Sequence, residues 1–153
     1  MIVFVRALTL VCLLLALARV RAGYLGFVAL ALLSFGARVG FHLDPHRCEL
    51  LVGPALALHS FRNYPHIVLC ALFFLLTRWQ LRGPQASGWA ALATLAMGAL
   101  VEIAEGVSGS GHCRLRDLLP DGAGALLGWV ACAAGCTLIR AARRPRMASA
   151  RTR

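Results

Sequence analysis

The stretch VEIAEGVSGSGHCRLRDLLPDGAGALLGW, residues 101–129, decides how this chain is read. It joins two long uncharged runs, 83–101 and 122–139, and gathers four of the six acids, Glu102, Glu105, Asp117 and Asp121, within twenty residues. A bilayer core of ~30 Å takes about 20 mostly apolar residues in a helix, so both runs are long enough to cross nearly unaided. Carboxylates at that depth are costly, and function is to be sought first among them.

At 100° per residue, a helix over 86–107 puts Ala91, Thr94, Gly98, Glu102 and Glu105 on one stripe about 80° wide. Small residues on it predict a face turned to another helix, with Glu105 at the end and Glu102 about 4.5 Å deeper. A helix over 119–140 carries Asp117, Asp121, Gly124, Gly128 and Cys132 at spacings of 4, 3, 4 and 4. Gly124 and Gly128 form a G-x-x-x-G that admits a neighbouring backbone. Pro120 suits the first turn, and the acids there meet the positive end of the helix dipole. A plainer reading has Asp117 capping the helix and the glycines merely packing. Four converging carboxylates repel, so they require Arg partners, a bound cation or a retained proton. Arg114 and Arg116 are nearest in sequence, with Arg38 and Arg62 on the same side.

The rest of the chain agrees with a membrane setting. Of 153 residues, 59% are hydrophobic and 14% charged, and the mean hydropathy is +0.74. Soluble domains carry roughly 25% charged residues, so an ordinary soluble globule is excluded. The runs 7–18, 22–37 and 63–77 are shorter and span only by borrowing flanking residues, with Arg6, Arg38 and His66 near their ends. The fold expected is an all-α polytopic transmembrane bundle of about five spans, near 2–19, 22–42, 64–81, 86–107 and 119–140. The run 50–61, broken by Gly53-Pro54, is too short to cross and reads as interfacial or re-entrant. One transmembrane domain, 1–142, is followed by a basic tail, 143–153.

All sixteen basic residues are Arg, and where they fall sets the orientation. Five spans with the C-terminus inside leave ten Arg on the cytoplasmic side, and six Arg with all six acids outside. The chain is therefore expected in the cell (inner) membrane, its C-terminus cytoplasmic and its acids facing out. A cleavable signal peptide ending near Ala22 is the alternative, and it would place the Arg-rich tail outside, against the charge rule. The tail reads as a solvated anchor attracted to anionic lipid. No basic folded face for nucleic acid is visible, so the bilayer, and not nucleic acid, is the expected partner.

The pattern Glu102-x-x-Glu105, a short loop with Gly and Arg, then Asp117-x3-Asp121-x2-Gly124-x3-Gly128 resembles the VanZ-like family of small multi-pass bacterial membrane proteins. That family shows Glu-x-x-Gln, a loop Arg, Asp-x3-Asn-x2-Gly-x3-Gly, and a His at the outer start of the preceding helix, which His66 matches. Here Glu105 stands for Gln and Asp121 for Asn, the loop Arg lies closer to the Asp, and Arg62-Asn63 replaces an Asp-Lys pair. Glu-x-x-Glu also resembles a related group of uncharacterised multi-pass proteins. The likeness covers about 61–135. It implies a part in cell-envelope processes or glycopeptide resistance of the teicoplanin type, with an envelope precursor or glycopeptide-like ligand as partner.

Of the six cysteines, Cys12, Cys70, Cys132 and Cys136 fall within predicted helices and read as small apolar residues. Cys48 and Cys113 fall in outer loops, where disulfides persist, and are the proposed pair. His42, His46, Cys48, His112 and Cys113 match no standard zinc spacing, so neither metal nor cofactor is expected. Asp121-Gly122-x-x-Ala125 is similar to the membrane CDP-alcohol phosphotransferase motif, but Leu126 replaces its Arg and no further acid follows to hold a metal. Ser108 or Ser110 beside His112 reads as turn chemistry rather than a hydrolase. The expectation is an outer-facing polar site of His66, Glu102, Glu105, Arg114, Arg116, Asp117 and Asp121, with Glu102 and Asp117 foremost and Gly98, Gly124 and Gly128 packing the helices. A non-catalytic scaffold in which the acids only pair with Arg is the alternative. An enzyme with one protonated Glu as acid and another carboxylate as base comes third.

Overall fold

The computed structural model describes residues 2–38, 48–51, 53–109 and 113–150; His42, His46, Ser110 and His112 lie outside them. Among the described residues every regular element is a helix: α1 (Ile2–Leu17), α2 (Arg21–Arg38), α3 (Pro54–Ser60), α4 (Tyr64–Gln80), α5 (Ala86–Ser108) and α6 (Leu118–Ala150), the last preceded by a 3-10 turn, Leu115–Asp117. Proline in the first turn starts α3 and α4, where its missing N–H costs nothing. Gly109, in the left-handed region at φ 64°, ends α5. The run 50–61 thus holds a seven-residue helix.

The last helix departs from expectation. Its backbone stays helical to Ala150, through the segment read as a solvated tail. Ala and Arg are strong helix formers, and Pro145 removes only one backbone bond, to the carbonyl of Ala141.

Helices α4, α5 and α6 form the core, around Phe74, Ala90 and Ala125. The approach of α4 to α6 is close because glycine faces it. A Cβ at Gly124 would strike the Ile67 carbonyl and Cys70 Cβ, and one at Gly128 would meet the Ala71 carbonyl and Phe74. Two helices, Ala86–Ser108 and the stretch Leu115–Ile139, are long and apolar enough to cross a membrane. Large apolar side chains stand exposed around the bundle, among them Leu14, Leu25, Leu69, Leu92, Ile103 and Leu138.

Helices α1 and α2 form a hairpin turning at Arg19, a non-glycine residue at φ 63° whose guanidinium lies 3.9 Å above the Trp79 ring. The hairpin is pinned at this end. Trp79 Nε1 donates to the Leu17 carbonyl (3.1 Å), Gln80 Nε2 donates to that of Ala16 (2.5 Å), and Tyr24 Oη shares a hydrogen bond with Thr77 (2.9 Å). Both carbonyls belong to the last turn of α1, which has no partners within its own helix. Toward its other end the hairpin and helices α4 and α5 enclose a cleft.

Candidate functional site

The cleft has a volume of about 650 Å³. Its walls are mostly apolar, from Val5 on α1, Phe27 and Ala31 on α2, Leu69 and Phe73 on α4 and Val101 on α5. Its polar lining comprises Arg6, Thr9, Ser34, Asn63, His66, Glu105 and Asp121, with the Thr9 and Ser34 hydroxyls bonded to carbonyls of their own helices. An apolar pocket with a few convergent polar groups is the usual form of a ligand site.

Asp121, in the first turn of α6, is 1% exposed. Its Oδ1 lies 3.1 Å from His66 Nδ1 and accepts from that nitrogen when it carries the proton; the Cys70 thiol donates to the same oxygen at 3.2 Å. Its Oδ2 is buried without a hydrogen-bond partner among the described residues. The carboxylate fits because residue 98 is glycine: a Cβ there would overlap Oδ2 and Cγ of Asp121. Gly98 and Asp121 both line the cleft, and Oδ2 packs against Gly98 just beneath its floor.

Glu102, 5% exposed, packs beside this floor on α5. Its Oε2 accepts the backbone N–H of Arg114 at 2.6 Å, while Oε1 is buried with no partner among the described residues. Glu105, one turn further along, is half-buried and lines the cleft.

The arginines behave otherwise than expected. The guanidinium of Arg116 reaches Glu49 Oε1 (2.9 Å) and that of Arg114 reaches Oε2 (3.4 Å), so neither neutralises the four-acid cluster. Glu49 competes successfully because backbone pairing holds it beside them: its N–H donates to the Cys113 carbonyl and its own carbonyl accepts from Leu115 N–H. Cys48 and Cys113, next to this bridge, are joined in a disulfide with Cα atoms 4.6 Å apart. The resulting clasp holds the Arg114 amide against Glu102.

The structure thus brings together His66, Asp121, Gly98 and Glu105 at the cleft, and sets Arg114, Arg116 and the disulfide in a clasp beside it. Asp117 is half-buried and shows no side-chain hydrogen bond among the described residues, so the most enclosed acid is Asp121. Cys70 is a hydrogen-bond donor to that acid and not only an apolar filler. Arg6, Cys70 and Glu49 were not legible as site residues. The nearest sequence signal is for Cys70, one turn beyond His66 and on the same helix face.

Among the described residues no group of three or more His, Cys, Asp or Glu is placed to hold a metal ion. No protein-family model, curated protein or solved structure matches the chain.

Proposed function

We propose that this chain is a VanZ-like multi-pass protein of the inner membrane whose cleft binds the cationic or polar head of a ligand at the outer leaflet. One observation carries the reading. A carboxylate with an unpartnered oxygen is buried at the floor of a largely apolar cleft, and such an acceptor is expensive to leave without a donor.

In this reading α1, α2, α4, α5 and α6 are the five spans and α3 lies at the interface. At 1.5 Å per residue the 16 residues of α1 cover about 24 Å, so flanking Arg side chains reach outward to complete the crossing. The exposed Leu, Ile and Val side chains then face lipid. The Arg count puts the cleft, the acids and the disulfide outside, and the Arg-rich end of α6 in the cytoplasm. The ligand is an envelope precursor or a glycopeptide-like molecule, as the family resemblance implies.

A scaffold role is the second reading, favoured by the clasp of Glu49, Arg114 and Arg116. Expression in a teicoplanin-susceptible host separates the two. The binding reading expects the wild-type chain to raise the inhibitory concentration, and Glu102→Gln and Glu105→Gln to abolish that rise at unchanged membrane abundance. Loss of abundance in both variants would favour the scaffold.

A further inference from the structure

The charges around the cleft are more specific than a cation site requires. Arg6 on α1 and Glu105 on α5 both line it, yet neither forms an ion pair with the other or with any described residue. Opposite charges facing one cavity without meeting are complementary to a ligand that carries both signs. Asp121 Oδ2, nine-tenths buried, adds an acceptor with no donor among the described residues. A primary ammonium offers three N–H donors to such an oxygen, and a quaternary ammonium offers none. The remaining wall is mostly aliphatic and aromatic, shared between the α1–α2 hairpin and helices α4 and α5.

Resting on the cation-binding reading above and narrowing it, we propose that the cleft takes a zwitterionic aminophospholipid: the primary ammonium at Asp121 and Glu105, the phosphate at Arg6, and the start of the acyl chain along Phe27, Ala31 and Phe73. A cleft of about 650 Å³ lies within the roughly 300–1,000 Å³ of small-molecule sites, enough to hold a headgroup and the chain next to it. The hydrogen bonds that tie the hairpin to α4 lie toward its Arg19 end, so the rest of the chain leaves through the opposite mouth of the cleft.

The test is native mass spectrometry of the full chain in dodecyl maltoside, titrated with dioleoylphosphatidylethanolamine, dioleoylphosphatidylcholine and water-soluble phosphoethanolamine. The phosphatidylethanolamine is expected to bind as one equivalent, about tenfold tighter than the phosphatidylcholine, the difference made by a charge-assisted hydrogen bond. Phosphoethanolamine, which lacks the chain, is expected to bind at least about tenfold more weakly, through the lost apolar contact. Glu105→Gln and Arg6→Gln should each weaken the phosphatidylethanolamine about fivefold or more, with the lipid-free melting temperature unchanged because neither side chain is ion-paired.

Equal affinity for the two phospholipids, binding unaffected by both variants, or phosphoethanolamine as tight as the lipid would overturn the proposal. Dodecylammonium, a cation on a chain without phosphate, tells its failure from that of the broader reading. If dodecylammonium binds in a Glu105-dependent way while the phospholipids are not distinguished, only the zwitterion is wrong. If neither binds, the cation site falls as well.

Discussion

The carboxylate of Asp121 occupies the space that a side chain at Gly98 would fill, so α5 and α6 interlock through one acid and one glycine. That carboxylate also joins α6 to α4, through His66 and Cys70. A single side chain thereby holds three helices around the cleft floor.

Gly98→Ala should therefore destabilise the bundle. The added methyl meets Cβ, Cγ and Oδ2 of Asp121, and a forced shift in a packed site costs typically about 1–3 kcal/mol. Gly122→Ala is the control: its Cβ would lie 3.9 Å from Leu95, an ordinary contact, and alanine gains about 0.5–1 kcal/mol of helix propensity. Thermal unfolding in detergent should show the first variant lowered and the second unchanged or raised. Gly124→Ala, whose methyl meets the Ile67 carbonyl on α4, should be lowered as well, because backbone there cannot move aside cheaply.

His66→Ala removes one of two donors to a buried carboxylate oxygen and should cost about 1–3 kcal/mol. A double-mutant cycle with Asp121→Asn checks the assignment: the two losses should couple by at least about 0.5 kcal/mol, since the residues are in contact. Additive losses would place the destabilisation elsewhere.

The sequence made the helices legible more readily than the cleft. Uncharged runs between charged residues, extended into their flanks, marked four of the five long helices to within a few residues at most of their ends, because the same apolar stretch that favours a membrane also favours a helix. The inward stripes of α5 and α6 were legible too: Thr94, Gly98 and Glu102 are buried, as are Asp121, Gly124 and Gly128. The cleft itself was not, since Arg6 and Phe27 lie on a hairpin about 80 to 115 residues from Glu105 and Asp121, and no periodicity encodes that meeting. Arg114 and Arg116 misled for a related reason. Nearness in sequence favoured the cluster acids, whereas backbone pairing brought the distant Glu49 closer.

The disulfide predicts a thiol count. In unfolded, unreduced protein four cysteines, Cys12, Cys70, Cys132 and Cys136, should react with maleimide, and reduction should raise the count to six. Six without reductant would contradict the pairing. The bridge closes a separation of 65 residues, worth up to about 4 kcal/mol in the loop-entropy account, so reductant should also lower the melting temperature.

Arg116 is 8% exposed and Arg114 is more open, so the two halves of the clasp should differ. Arg116→Ala removes the more buried guanidinium and the shorter contact and should cost about 1 kcal/mol or more, against a few tenths for Arg114→Ala, whose backbone amide still reaches Glu102. Unfolding midpoints of the two variants, measured side by side, check the order.

Whether Asp121 and Glu105 receive a cationic head is decided by calorimetric titration of dodecylammonium chloride, below its micelle concentration, into the full chain. One saturable site per chain is expected, weakened about tenfold by Asp121→Asn and similarly by Glu105→Gln, each through loss of one charge-assisted contact. Uptake that never saturates, or equal affinity in the wild type and both variants, would contradict it.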